Sequence, residues 1–196
     1  MADRTVHYEM AFAHYLRERR VACISIDETR RTFTNQQSIK SLDFVVTPSP
    51  GCWLLVDVKG RKLPAGSLSL ENWATEDDIA SMNRWQQVFG ENSTAILAFV
   101  YELGDPVQRF WFAESFCHNG QHFGCLCVKL AEYQSQVKVR SPKWKTVSIP
   151  RGAFTRMAMP FDYYLNAGKP RTISASSIES ETQSSDFIPN GAGRNN

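Results

Sequence analysis

The segment 41–62, SLDFVVTPSPGCWLLVDVKGRK, restricts the fold of this chain more than any other part of its sequence. Aromatic and β-branched residues dominate the runs 42–47 and 52–59, which predicts two strands. The prolines and the glycine of 48–51 separate these strands as a turn, and Gly60 is expected to end the second one. The segment therefore predicts two adjacent strands joined by a turn.

The second predicted strand carries an acid and a base on the same face. Because side chains alternate between the two faces of a strand, Val56 and Val58 share one face, and Asp57 and Lys59 share the other. Asp57 and Lys59 are then about 7 Å apart along the strand. Asp43 is a further carboxylate, set among the apolar residues of the preceding strand. Charged side chains in strands this apolar indicate either a structural ion pair or a functional site.

These residues resemble the signature of the PD-(D/E)XK nuclease superfamily, which is also called restriction-endonuclease-like. That signature is an Asp on one strand, followed by Asp/Glu-x-Lys on its hairpin partner. Here Asp43 is followed about a dozen residues later by Asp57-Val58-Lys59. Leu42 stands where the signature has proline, which members of the superfamily often lack. The resemblance implies a nuclease with Asp43, Asp57 and Lys59 in its active site.

The pattern of residues 5–19 predicts a helix that turns Glu9 toward the core, because Glu9, Phe12 and Leu16 lie on one helical face. Glu9 either reaches water at the edge of this stripe or is aimed inward at a metal. Many members of the resembled superfamily place such a Glu on their first helix. The stretch His-Tyr-Glu-Met-Ala-Phe also resembles an uncharacterised His-Tyr-Glu-x-Ala-Phe-Glu (HYExAFE) family, although Ala13 replaces its last Glu.

A second helix is predicted from Thr75 to Phe89. Thr75 and Asp78 have the spacing of a capping box, and Gly90 provides a stop signal. The apolar stripe of this helix includes Gln86, which is polar. The resemblance assigns Gln86 to the active site, whereas a hydrogen bond to the backbone within the core is the alternative.

The remaining elements complete an α/β order. Runs 21–26 and 94–101 predict strands, the second buried on both faces, and 108–113 predicts a further strand. The polar run 27–40 is expected to be a loop. The order is that of the αβββαβ restriction-endonuclease-like core, with a mixed central sheet and additional C-terminal β elements, and the resemblance covers residues 5–101.

Length and composition fit one globular domain. The chain has 196 residues, 42% of them hydrophobic, and a net charge of +2, so any nucleic-acid binding must come from local patches. We expect a single nuclease-like domain over 1–166 and a disordered tail over 167–196, which is polar and poor in apolar residues. There is neither an apolar signal region nor a run of 18 apolar residues, so we expect a cytoplasmic protein that does not bind membranes.

Three cysteines and two histidines lie within 117–127, but their spacing is not that of paired zinc ligands. The run 123–130 predicts a strand that directs Cys125 and Cys127 to the same side. We therefore expect buried structural cysteines and no stoichiometric zinc. Reduced thiols agree with a cytoplasmic location.

The segment 134–156 is strongly basic and contains no acid. Cations match phosphates, and aromatic rings can stack on unpaired bases. The candidate substrate-binding residues are Lys138, Arg140, Lys143, Trp144 and Lys145. A basic, solvated hairpin without a ligand is the alternative.

The resemblance implies a specific chemistry. The carboxylates of Glu9, Asp43 and Asp57, with the main-chain carbonyl of Val58, would hold Mg²⁺ or Mn²⁺. Lys59 would orient the attacking water and offset phosphate charge. The expected partner is nucleic acid, with DNA as the expected kind, and a homodimer stays open.

Two other interpretations stay open at this stage. The first is a nucleic-acid-binding module on the same fold that has no catalytic activity. The second is an unrelated α/β protein in which Asp57 and Lys59 form a structural ion pair.

Overall fold

The computed structural model describes residues 4–26, 32–34, 37–67 and 69–166. The expected tail, 167–196, lies outside the described residues. The helices are α1 (Arg4–Glu18), α2 (Glu76–Phe89), α3 (Leu130–Gln136), α4 (Arg151–Met157) and α5 (Phe161–Asn166). None of the described helices combines the length and the apolar character that a membrane crossing requires.

Eleven strands are described. They are β1 (Cys23–Ser25), β2 (Thr32–Thr34), β3 (Gln37–Ile39), β4 (Phe44–Ser49), β5 (Cys52–Leu63), β6 (Ala74–Thr75), β7 (Ser93–Leu103), β8 (Ser115–His118), β9 (Gln121–Lys129), β10 (Lys138–Ser141) and β11 (Thr146–Ser148). Six of them form the central sheet in the order β1-β4-β5-β7-β9-β8. The central pair β5 and β7 is parallel and its neighbours are antiparallel, so the sheet is mixed, as the sequence predicted.

The sheet lies between two layers of helices. Val56 and Val58 contribute to an apolar cluster with α1 and α5, whereas Leu55 and Leu97 belong to a second cluster with α2, α3 and α4. The predicted alternation along β5 is therefore confirmed. Since Asp57 shares the face of Leu55, its side chain projects into the second layer and not toward α1.

The predicted helix pair and the αβββαβ order are confirmed. Thr75 and Asp78 form a reciprocal capping box at the start of α2: Asp78 N–H donates to Thr75 Oγ1 at 3.0 Å, and Thr75 N–H donates to Asp78 Oδ2 at 2.8 Å. Gly90 ends this helix at a φ of 77°, which favours glycine. The structure adds the hairpin β2–β3 within 27–40, where the sequence predicted only a loop.

Gly60 does not end the second strand of the hairpin, contrary to the sequence prediction. β5 continues to Leu63 because its parallel ladder with β7 extends to the pair Leu63 and Leu103. A Cβ atom at position 60 would collide with the ring of Tyr8 on α1. Glycine is needed here for close packing of the helix against the strand and not for a turn.

Two further boundaries differ from the sequence prediction. β4 includes Pro48, because a register shift between Val46 and Ser49 accommodates a residue that cannot donate to the ladder. The run 108–113, predicted as a strand, lies mostly in the 3-10 helix Pro106–Trp111. Asp105 caps that helix by accepting from the N–H of Val107, which is a local start signal for a helix.

Gly60→Ala should destabilise the fold by about 1–3 kcal/mol, because an added methyl group overpacks the contact between α1 and β5. Gly152→Ala on α4 is the matched control, since a Cβ there meets only Arg156 Nη1 at 3.5 Å and alanine favours a helix. Urea unfolding of both variants measures the difference. Equal stability of Gly60→Ala and wild type would contradict this account of α1 packing.

Candidate active site

Four charged side chains form a connected ion network beside β5. Lys59 Nζ lies 2.6 Å from Asp57 Oδ2 and 3.1 Å from Asp78 Oδ2. Lys40 Nζ lies 2.6 Å from the other carboxylate oxygen of Asp78. The side chains of Asp57, Lys59 and Asp78 are at most 10% exposed. Interior charges of this kind are stable only when paired, so each ion holds the others in place.

Asp43 joins the same network from the neighbouring strand. It directly precedes β4, is 2% exposed, and its Oδ2 accepts a hydrogen bond from the N–H of Val58. Its charge also acts on Lys59, where it is among the groups that raise the pKa of the ammonium. The structure thus brings together three residues that the sequence selected, namely Asp43, Asp57 and Lys59.

Asp78 and Lys40 are members of the network that we did not select from the sequence. Asp78 was identified only as the capping residue of α2, yet the same carboxylate binds two lysines. Lys40 is positioned from its backbone, because its carbonyl accepts from Trp85 Nε1 at 2.9 Å and its N–H donates to Ser81 Oγ at 3.3 Å. The sequence did carry a signal for Asp78, because it is an acid in the first turn of the helix that follows the Asp-x-Lys strand.

The network has distinct effects on each pKa. Burial raises the pKa of Asp57, and Lys59 offsets only part of that rise. Burial alone would lower the pKa of Lys59, but the carboxylates of Asp57 and Asp78 outweigh it and raise the pKa. Burial opposes ionisation of Asp78, yet Lys59 and Lys40 hold its pKa well below the ordinary value of 3.8. Lys59 is therefore a stable ammonium at neutral pH.

A cleft of about 460 Å³ opens next to this network. Among the described residues that line it, four are cations, namely Lys40, Lys59, Arg61 and Lys62, and one, Asp78, is an acid. A concave surface with this excess of positive charge favours an anionic ligand.

The structure places Glu9 on the helix that covers the face of β5 opposite Asp57, and Gln86 on α2 beyond Asp78. α1 packs on the face of β5 that carries Val56 and Val58, whereas Asp57 projects from the opposite face, and Glu9 lies half-buried on α1. Gln86 lies about two helical turns beyond Asp78, and its Nε2 donates to the carbonyl of Ser93 at 3.3 Å. α2 therefore directs Asp78, and not Gln86, to Lys59.

The predicted basic segment forms a hairpin next to the cleft. β10 pairs with β11, and β11 pairs with β6, where Thr146 lies opposite Thr75, which lines the cleft. The carbonyl of Lys145 accepts the N–H of Glu76 at 2.9 Å, so the turn of the hairpin contacts the start of α2. The candidate substrate-binding residues Lys138, Arg140, Lys143, Trp144 and Lys145 are all exposed. Trp144 is 70% exposed, with Lys143 Nζ 5.3 Å from its ring centre.

The cysteines of 117–127 are separated by the sheet. Cys125 and Cys127 are buried on the same face of β9 with 3.7 Å between their sulfur atoms, as their spacing predicted, whereas Cys117 on β8 is exposed. Burial raises the pKa of the Cys127 thiol, which disfavours the thiolate that a metal needs. The absence of stoichiometric zinc remains a prediction.

The donor atoms at the network suit a hard divalent cation. Asp43, Asp57 and the Val58 carbonyl are oxygen donors, which Mg²⁺ and Mn²⁺ prefer. The ammonium of Lys59 lies against Asp57, so this carboxylate already favours a positive charge beside it. Across the described ranges there is no group of three or more His, Cys, Asp or Glu side chains arranged around one ion position. A divalent ion held by Asp43 and Asp57 would therefore keep part of its water shell.

Asp78→Asn should lower stability by about 3 kcal/mol at pH 7, because Lys40 and Lys59 lose a buried anion while the amide can still cap α2. Since the folded-state pKa of Asp78 is depressed, its contribution is complete above about pH 5 and is lost as pH falls through that pKa. The difference between wild type and variant should therefore shrink steadily as the pH falls from about 5 toward 2. Thermal melts from pH 7 to pH 2 measure it, and a difference that is constant with pH would contradict the ion network.

The sequence matches no known family profile and no curated protein. The resemblance to the HYExAFE family therefore has no support. The structure is similar to the solved structure of Hjc from Archaeoglobus fulgidus, a Holliday junction resolvase from an archaeal hyperthermophile. The two are 13% identical with a TM-score of 0.50, over 82% of this chain and 98% of Hjc. This similarity establishes the fold: the chain has the restriction-endonuclease-like α/β fold that the sequence predicted.

Proposed function

We propose that this protein is a metal-dependent nuclease that hydrolyses phosphodiester bonds in DNA. One observation carries the proposal: the buried Asp43–Asp57–Lys59 group lies beside a cleft whose charged lining residues are four cations and one acid. A phosphodiester is an anion, and its hydrolysis requires stabilisation of developing negative charge together with an activated water. These residues would supply both at one place.

Each residue has a separate task in this mechanism. Asp43, Asp57 and the Val58 carbonyl would hold Mg²⁺ or Mn²⁺, which supplies Lewis-acid stabilisation when bound. Lys59 holds a positive charge at the cleft wall, where it orients water and offsets phosphate charge. Asp78 is a positioning residue that, together with Asp57, keeps the ammonium in place. Glu9 remains a proposed third carboxylate.

Cleavage of defined DNA substrates tests the proposal. Purified protein is incubated with an end-labelled synthetic four-way junction and with a linear duplex that contains the same arm sequences. We chose the junction because the similar structure is that of a Holliday junction resolvase. We expect cleavage in Mg²⁺ or Mn²⁺ and none in EDTA. No cleavage of either substrate in any divalent metal would remove the nuclease function.

A second candidate function is a nucleic-acid-binding module without catalysis. The favouring observation is that Lys59 Nζ lies 2.6 Å from Asp57, where its charge competes with a metal for the same carboxylate. Such a module would bind DNA with equal affinity in EDTA and in Mn²⁺. A nuclease centre predicts instead that Mn²⁺ binds stoichiometrically and stabilises the fold.

Removing two charges from the basic hairpin should weaken DNA binding and flatten its salt dependence. We suggest Lys143→Gln with Lys145→Asn, since Lys145 has a φ of 45° that asparagine tolerates. If each lysine neutralises one phosphate, the log–log salt slope falls by about two. Arg17→Gln with Arg20→Asn is the control, because it removes two exposed charges, one also at a positive φ, from the end of α1. An unchanged slope in the hairpin variant would place the substrate elsewhere.

A further inference from the structure

Arg61 continues the row of side chains that begins with Asp57 and Lys59. The three residues alternate on one face of β5, and Arg61 lines the same cleft as Lys59. Arg61 is nevertheless 8% exposed, which is unusual for an arginine. It therefore holds a largely buried positive charge at the wall of the cleft, about 7 Å along the strand from Lys59.

Arg61 differs from the other cations of the cleft in its partners. Lys40, Lys59 and Lys62 each lie between 2.6 and 3.6 Å from a carboxylate oxygen. Arg61 has no such ion pair among the described residues, where its hydrogen bonds go to main-chain carbonyls. Glu71 is near enough to act on it electrostatically, but the carboxylate of Glu71 is paired with Arg140 at 3.2 Å. The charge of Arg61 thus lacks a direct counter-ion within the described structure.

The guanidinium is held in a fixed orientation. Nη1 donates to the Gly60 carbonyl at 2.6 Å, Nη2 donates to the Trp73 carbonyl, and the guanidinium lies 3.8 Å from the centre of the Trp73 ring. These bonds use two of its five N–H donors, and Nε has no acceptor among the described residues. Burial disfavours the charged form of Arg61 and lowers its pKa. A buried cation that is rigid and lacks a counter-ion is a site prepared for an external anion.

We propose that Arg61, stacked on Trp73, forms a phosphate subsite that binds a backbone phosphate next to the one that Lys59 contacts. An anion there would neutralise the buried charge and accept from the guanidinium in a planar, charge-assisted geometry. The subsite is separate from the basic hairpin, because it is built on β5 and lies within the cleft. The subsite proposal depends on the proposed function in one respect: it takes the anion to be a phosphate of nucleic acid.

A titration with inorganic phosphate tests the subsite without metal or cleavage. Thermal melts are recorded in EDTA with increasing phosphate, at an ionic strength held constant with chloride. Phosphate should raise the melting temperature of wild type, and Arg61→Gln should bind it about tenfold more weakly. Arg17→Gln, which removes an exposed arginine charge from α1, should respond as wild type does. In DNA binding, Arg61→Gln should lower the salt slope by about one.

The alternative role of Arg61 is to brace Trp73 against β5, and the outcomes separate the two roles. Equal phosphate affinity and equal salt slope in Arg61→Gln and wild type would overturn the subsite. If Arg61→Gln does not fold, Arg61→Lys replaces it: weaker phosphate binding supports the subsite, because lysine keeps the charge but loses the planar fork, and unchanged binding overturns it. Phosphate binding that depends on Arg61 in a protein that cleaves no DNA would remove the nuclease proposal and leave the anion subsite standing.

Discussion

Lys59→Met should reduce metal-dependent DNA cleavage by about 10²- to 10³-fold, the loss typical when one group that stabilises developing negative charge is removed. The ammonium lies 2.6 Å from Asp57 at the wall of the cleft, and a thioether cannot offset phosphate charge. Metal binding should survive and become equal or tighter, because the ammonium that competes for Asp57 Oδ2 is gone. Loss of activity with retained affinity for Mn²⁺ is a signature that a folding defect would not give.

Lys129→Met is the matched control for this substitution. Lys129 lies at the end of β9 with a side chain that is 43% exposed, and the cleft does not include it. Single-turnover cleavage measures the rates, and calorimetric titration with Mn²⁺ measures the affinities. Full cleavage activity in Lys59→Met would show that the lysine belongs to an ordinary structural ion pair.

Asp57→Asn should abolish the response of the protein to divalent metal. In wild type, Mn²⁺ at about 100 times its dissociation constant should stabilise the native state by about 2.7 kcal/mol. The amide removes the negative charge that the ion requires, so the variant should melt at the same temperature with and without Mn²⁺. The variant is expected to fold, because Asp78 still pairs with Lys59 at 3.1 Å and the burial penalty of the Asp57 charge is gone.

Asp77→Asn controls for the chemical change, since Asp77 is exposed on the first turn of α2 and should leave the metal response intact. Glu9→Gln in the same titration shows whether Glu9, the proposed third carboxylate, contributes to metal binding. A metal-dependent rise in melting temperature that persists in Asp57→Asn would place the ion elsewhere.

Local patterns in the sequence predicted much of the fold and of the central site. Alternation along β5 was sufficient to put Asp57 and Lys59 on one face, because the period of a strand is fixed by its geometry. Thr75 and Asp78 predicted the start of α2, because a capping box is satisfied by residues close in sequence. Both are properties of short segments that do not depend on distant packing.

The parts that the sequence did not predict depend on tertiary contacts. In the sequence alone, Gly60 resembles the end of a strand. Only its close contact with Tyr8 of α1 shows that glycine is needed there for packing. Asp78 serves as a helix cap in isolation, and only the approach of Lys40 and Lys59 makes it part of the site. Gln86 shares an apolar stripe, but the stripe does not show which end of α2 faces the network. Pairings between residues far apart in the chain are not encoded in local periodicity.

The most direct test of the proposed nuclease centre is single-turnover cleavage of one labelled DNA substrate by wild type and Asp57→Asn, with the metal first chelated by EDTA and then restored as Mg²⁺. The centre predicts cleavage by wild type only after Mg²⁺ is restored, and none by Asp57→Asn in either condition. Cleavage by wild type in EDTA, or equal cleavage by the two proteins in Mg²⁺, would contradict a metal-dependent site built on Asp43, Asp57 and Lys59.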